Sequence, residues 1–319
     1  MQRIFTNPMA GWVLAASLAM CGAFSARAAE LDSGGLEVIK VRPDFYMIAG
    51  AGGNIGVNIG SDGIVLANAG SAASADQVLA ELKKLTDLPI RMIFNTEAGP
   101  DFVGGNLKLA RAGLAVRTGS NLAEIIAFDA VLSRMSARNA NPSYPGDAWP
   151  NDAFLANRHA VRMNDQGIEA WHVASARTDG DSVVMFRKSD VVVTGDILNM
   201  DRFPVIDLDK GGSIEGEIEA LNKVIELTIA PIPYIYKDPG TYVVPGHGRL
   251  SEQMEVVDYR DMVVIVRDNI EDLIKQGKTL DQIKAAHPAQ AYETRFGREP
   301  GSTDAFVESI YESLTTAKK

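Results

Sequence analysis

A single cysteine, Cys21, occurs in the 319 residues, and it lies inside an apolar run near the start, Gly11 to Phe24 (GWVLAASLAMCGAF). Beyond that run there is no thiol, which excludes disulfides, thiolate metal ligands and a cysteine nucleophile. Histidine is nearly as scarce: His159, His172, His247 and His287 are the only four. No Ser–His–Asp arrangement offers another nucleophile. The chain also lacks internal repeats, low-complexity segments and any evident linker, so one domain is expected. Positive charge is in deficit, with 31 Lys and Arg against 41 Asp and Glu and a net of −10. That balance argues against nucleic acid or an anionic membrane surface as a partner.

The N-terminal run is too short to span a bilayer comfortably as a permanent helix. Arg3 stands before it with no acid among residues 1–9, and Ala26-Arg27-Ala28 follows it. These three features, in that order, make a signal peptide over 1–28 with cleavage before Ala29. The mature chain is then periplasmic or secreted and has no membrane span. Leu18-Ala19-Met20-Cys21 matches a lipoprotein signal less well, because Met20 stands where a small residue is needed. Without Arg3 and Arg27, 29 basic residues face 41 acidic ones, a net of −12.

From Leu36 to Leu66, short β-type runs alternate with Gly-rich turns, and the Asp62-Gly63 pair signals a hairpin. Ser74 with Gln77 has the spacing of a capping box opening a helix, and Pro89 follows that helix. Residues 90–94 read as a buried strand and 114–117 as another short one. The spacing predicts a helix over 122–138, with Asn121 and Glu124 as cap residues. Further strands are expected at 160–162, 169–173, 183–186, 191–194 and 241–244, and helices at 215–228, up to Gly277, after Thr279 and at 304–314. Strand groups alternating with helices in two similar halves suggest an α/β, four-layer αβ/βα sandwich.

Five segments carry a more specific signal: Gly63 to Gly70 (GIVLANAG), Asn95 to Asn106 (NTEAGPDFVGGN), Ala176 to Asp181 (ARTDGD), Thr194-Gly195-Asp196, and Val244 to Gly248 (VPGHG). Their order, spacing and flanking strands resemble the metallo-β-lactamase superfamily over Leu36 to Leu250. The resemblance implies that family's sandwich over 29–250, with residues 251–319 as C-terminal helices packed on the same domain. It also implies metal-dependent hydrolysis, in which zinc ions lower the pKa of bound water to about 7.

Set against that family, the chain has lost most of its metal ligands. The family's second loop reads H-x-H-x-D-H; here those places hold Glu97, Gly99, Asp101 and Phe102. A histidine is replaced by Arg177, an acidic residue by Asn68, and only Asp196 and His247 are retained with Asp101. Gly99 has no donor atom, and a guanidinium can neither ligate nor lie comfortably beside zinc. The implied ligand set is therefore none, or one weakly bound divalent ion, zinc or iron, at Asp101, Asp196 and His247. Glu97, Asp101 and Asp196 crowded without metal need a counter-charge, and Arg177 is expected to pair with Asp196, or with Glu97 and Asp101, and to depress their pKa values. His247 either holds its turn or serves with a carboxylate as general base, with Asp101 and His247 the catalytic pair if the protein is active. His172 reads as structural, and His159 and His287 as surface residues without acidic partners. Tyr144 and Trp149 are candidates for a lid or for packing anchors. The segment from Arg202 to Ser213 resembles the family's loop beside the pocket.

These readings leave three functions: a metal-poor relative of exported hydrolases, binding a small molecule or a periplasmic protein in the old cleft; a single-metal hydrolase of an ester, thioester or amide; and a metal-independent acid–base enzyme. β-Lactam hydrolysis is not expected, since it depends on metal-bound hydroxide.

Overall fold

Long apolar strands alternate their side chains between two faces, and here both faces are covered. Val65 and Ala67 point to one core while Ile64 and Leu66 point to another. Likewise Val184 and Phe186 face inward while Val183 and Met185 face outward. A strand buried on both sides reads as a continuous apolar run, the pattern of a sheet with layers above and below it.

The computed structural model describes residues 35–116, 119–232 and 240–316, and Leu36–Lys319 is one compact unit. The expected signal segment, residues 1–28 with Cys21, lies outside the described residues. The first sheet has seven strands in sequence order: β1 (Glu37–Arg42), β2 (Phe45–Ala49), β3 (Ile55–Gly60), β4 (Gly63–Ala67), β5 (Ile90–Phe94), β6 (Glu124–Phe128) and β7 (Asp152–Phe154). β1 to β4 pair antiparallel, with Gly60 opposite Gly63 across a Ser61-Asp62 turn, and β4 to β7 pair parallel. The second sheet has the order β13-β12-β11-β10-β9-β8. Its strands are β8 (Arg158–Met163), β9 (Gln166–His172), β10 (Ser182–Phe186), β11 (Val191–Val193), β12 (Tyr242–Val244) and β13 (Ser251–Glu252).

Between the sheets, Phe45, Met47, Met92, Phe94 and Ile126 meet Ile168, Phe186, Val193 and Val244. Outside the first sheet lie α1 (Ala75–Leu85), α2 (Pro100–Val103), α3 (Asn106–Arg111) and α4 (Asp129–Met135). Outside the second lie α5 (Ile214–Leu227) and α6 (Gln253–Lys275), with α7 (Leu280–Ala285), α8 (Glu293–Phe296) and α9 (Ser302–Thr316) completing that layer. The expected αβ/βα sandwich with C-terminal helices is what forms.

Three local expectations are overturned. The helix expected over 122–138 divides into β6 and the shorter α4, because Ile125 and Ile126 are buried on opposite faces between β5 and β7. The strand expected at 114–117 is irregular over 114–116, with Leu114 and Val116 exposed, and Arg117 lies outside the described residues. Ser74 does not cap α1. Its hydroxyl instead donates to the carbonyl of Ala51 at 2.8 Å, tying the start of α1 to the turn after β2.

Candidate functional site

All five singled-out segments follow the C-terminal ends of strands: Asn68 after β4, Glu97 and Asp101 after β5, Arg177 after β9, Asp196 after β11 and His247 after β12. Carboxyl ends of strands are where α/β sheets open a crevice, because the chain leaves the sheet there and its loops diverge. Backbone ties hold those loops together. Asn68 has φ 70 and accepts from the Thr96 amide at 3.0 Å and the Thr96 hydroxyl at 2.9 Å. Asn54 donates to the carbonyls of Pro245 and Gly248, 3.0 and 2.9 Å away, locking the His247 turn to the first sheet. Asn68 therefore shapes the β5 loop rather than facing a ligand, being fully buried.

Arg177 lies between two carboxylates. Its Nη1 donates to Glu97 Oε2 in a short charge-assisted bond and stands 3.5 Å from Asp196 Oδ2. Beyond Asp196, His247 Nε2 is 3.3 Å from Oδ1, and Asp101 Oδ2 is 4.0 Å from the same nitrogen. The order across the crevice is Glu97, Arg177, Asp196, His247, Asp101. Arg177 thus pairs with Glu97 and Asp196, while Asp101 sits at the far end with nearly half its side chain exposed. Phe102 sets its ring edge-on to His247, centroids 5.8 Å apart.

Depth changes the expected electrostatics. Burial pushes Glu97 up to about 8; Arg177 works against this, and the Asp196 and Asp181 charges add to it. The expected depression is therefore wrong for Glu97, because losing water outweighs gaining one guanidinium. Burial likewise raises Asp181 to about 7, against the Thr178 amide, which donates to it at 2.6 Å, and against Arg177. Arg177 itself is held above its ordinary value: burial pulls it down, and the carboxylates of Glu97, Asp196 and Asp181 more than offset that.

A further acid was not foreseen. Glu217 on α5 is fully buried, and burial together with Asp181 and Asp196 raises it well above the usual carboxylate range. It falls on the buried stripe Ile214, Ile218, Leu221 and Val224, so helical spacing alone marks it as an inward-facing acid. Glu97, Asp181, Asp196 and Glu217 together surround the influence of Arg177.

A cavity of about 470 Å³ opens beside this array, bounded by Glu97, Arg134, Tyr144, Arg177, Thr178 and Lys210 among others. Tyr144 lines it, whereas Trp149 packs with Val103 and Val131 and donates to the Tyr144 carbonyl at 2.9 Å. Of the two lid candidates, only Tyr144 reaches the cavity, and Trp149 anchors it. The Arg202–Ile206 stretch borders a different cavity with residues 299–309. His172 stacks on Phe128, 3.5 Å between centroids, and its Nδ1 is 3.0 Å from the Asp181 carbonyl. His159 was expected to lack an acidic partner; it stands 3.4 Å from Asp152 and stacks on Phe154.

The zinc or iron that the resemblance implies does not fit this donor set. Arg177 bonds to Glu97 and approaches Asp196, so a fixed cation occupies the carboxylates a metal would use, and Gly99 and Phe102 supply no donor. Among the described residues no group of three or more His, Cys, Asp or Glu stands where it could hold a metal ion. Among them, too, no helix is long and apolar enough to cross a membrane.

Comparison with known proteins gives one family. A model of the metallo-beta-lactamase superfamily matches residues 51–247. A stereoselective inverting sec-alkylsulfatase, Pisa1 from Pseudomonas sp., superposes with a TM-score of 0.61 at 14% identity, over 87% of this chain and 50% of that one. The chain therefore spans about half the length of that alkylsulfatase. The metallo-beta-lactamase from Pontibacter korlensis gives 0.53 at 15% identity, over 72% of this chain and 98% of that one. DIM-1 metallo-beta-lactamase gives 0.54 at 14%, over 72% and 97%. No curated protein matches.

Proposed function

Because the chain belongs to the metallo-β-lactamase superfamily, we propose that it is an exported, metal-free relative of that family's hydrolases, binding a small molecule or a periplasmic protein in the old cleft. One observation carries the reading: the Arg177 guanidinium bonds to Glu97 and lies 3.5 Å from Asp196, so a fixed cation stands against the carboxylates that a metal would need. Arginine keeps its charge at any physiological pH, so that counter-ion is permanent. Glu97, Arg177 and Asp196 then stand together at the cleft, with Asn68 buried behind them shaping the β5 loop, and the hydroxide-generating chemistry of the family has no counterpart in it.

A second reading is a single-metal hydrolase of an ester, thioester or amide using Asp101, Asp196 and His247. Its support is the proximity of both carboxylates to His247 Nε2, at 3.3 and 4.0 Å. Metal analysis separates the readings. After incubation with zinc, iron and manganese and desalting, the protein is expected to retain less than about 0.1 equivalent, since a set of at most three donors with a guanidinium 3.5 Å from one of them binds weakly. One equivalent of tightly held metal, abolished by His247→Ala, would overturn the metal-free reading. Export is tested by fractionation: the chain is expected in the periplasm or medium with Ala29 as its N-terminus.

A further inference from the structure

The walls of the 470 Å³ cavity are not electrically balanced. Three cations, Arg134, Arg177 and Lys210, line it against a single carboxyl, Glu97. Glu97 is already matched by Arg177 Nη1. The acids that pair with the other two cations, Asp179 for Arg134 and Asp207 for Lys210, are outside the lining. A concave lining that presents three cations and one carboxyl favours an anionic ligand over a cationic one, because low-dielectric walls focus the field.

Hydrogen-bonding capacity points the same way. Four lining residues carry a buried polar atom with no partner: Arg177 Nε, Arg134 Nη1, Tyr144 Oη and Glu97 Oε1. Three of the four donate. An unpaired buried donor has lost its water without compensation, and a ligand rich in acceptor oxygens recovers part of that loss when these side chains turn toward it. Met135, Ala137 and Pro142 give the wall an apolar stretch, with Asn139, Asn141 and Thr178 as further polar lining. Since Arg134 and Lys210 each have an acid of their own outside the lining, the cavity suits one negative charge rather than two.

We propose that this cavity binds a small organic carboxylate, its oxygens held by the planar fork of Arg177 and the Tyr144 hydroxyl, its short apolar body against Met135, Ala137 and Pro142. A guanidinium matches a carboxylate bidentately, which a neutral amide does not reproduce; phosphate is matched by the same fork but brings a second negative charge that this lining does not offset. The proposal rests on the metal-free cleft and names what that cleft takes.

Calorimetric titration at pH 7 and low salt tests it, using purified protein of measured metal content and benzoate, hexanoate, benzamide, hexanamide and inorganic phosphate as probes. The carboxylates are expected to bind at least about tenfold tighter than their amides and tighter than phosphate, as charge-assisted bonds to a buried fork require. Tyr144→Phe should weaken benzoate about three- to tenfold without moving the melting temperature, and Arg177→Gln by tenfold or more. Amides that bind as well as the acids, phosphate that binds better, or a Tyr144→Phe protein with unchanged benzoate affinity would sink the assignment. Metal-free protein that binds none of the carboxylates sinks it while leaving the metal-free cleft standing; one equivalent of bound metal sinks both.

Discussion

At the scale of residues, the pairing of Arg177 with the buried Glu97 has a pH signature. Glu97 keeps its proton more firmly in the folded protein than in the unfolded chain, since burial lifts it from 4.5 to about 8. The folded state then binds more protons, so the contribution of Glu97 to stability is fully present below about 4.5, is lost as pH rises, and is gone above about 8. Urea midpoints of the wild type should fall across that window, and Glu97→Gln should flatten the fall without abolishing it, because Asp181 and Glu217 are raised too. An unchanged slope in Glu97→Gln would place the titration elsewhere. Arg177→Ala should cost about 1–3 kcal/mol at pH 7, the usual penalty for stranding buried acceptors. That cost should grow from pH 5 to pH 9, as Glu97 comes to need its counter-charge, and equal loss at both would refute the pairing. The pair was legible in the sequence from Arg177 standing where the resemblance wanted a histidine. The direction of the Glu97 shift was not legible, because depth is a property of the fold and no local spacing encodes it.

At the scale of elements, α5 sets the position of the arginine loop. Ser213 caps α5, accepting from the Gly216 amide at 3.0 Å, and its hydroxyl also donates to the Ser175 carbonyl at 3.1 Å. Gly216 lies so close beneath that loop that a Cβ there would collide with the Ser175 carbonyl. Ser213→Ala should therefore cost about 1 kcal/mol by loss of the cap. Gly216→Ala should cost more, about 3 kcal/mol or more by overpacking against backbone, and should perturb Arg177 as well as α5. Thermal melts of the two variants check the ranking, and a Gly216→Ala protein as stable as the wild type would show that the helix and loop can separate. Helix α5 itself was plain in the sequence from its 3.6-residue apolar stripe. Strand β6 was not: Glu124, Ala127 and the leucine before them carry helical propensity, and only packing of Ile125 and Ile126 on two cores overrides it. That misreading also hid Arg134, since α4 begins only where β6 ends, and with it one wall of the cavity.

At the scale of the whole molecule, the sandwich has kept the framework of its family while the crevice has changed character. The five strand ends stand in register, Asn54 still ties the His247 turn to the first sheet, and Asp101, Asp196 and His247 still face one another. The framework and the metal chemistry are then separable, and rebuilding the donors should restore binding. Glu97→His, Gly99→His, Phe102→His and Arg177→His together supply the nitrogen donors of the family's pattern and remove the obstructing cation. At Gly99 a Cβ would lie 3.1 Å from a Glu97 oxygen and 3.3 Å from the Phe102 ring, both of which the other substitutions replace. The fourfold variant should bind at least one zinc, where the wild type is expected to bind none. Zinc at 100 times its dissociation constant should raise the variant's unfolding free energy by about 2.7 kcal/mol, leaving the wild type unmoved. If zinc instead stabilises the wild type equally, Arg177 does not obstruct the metal. If it stabilises neither while the variant folds, the strand ends have drifted out of ligating register, and more than the lost side chains separates this chain from its relatives.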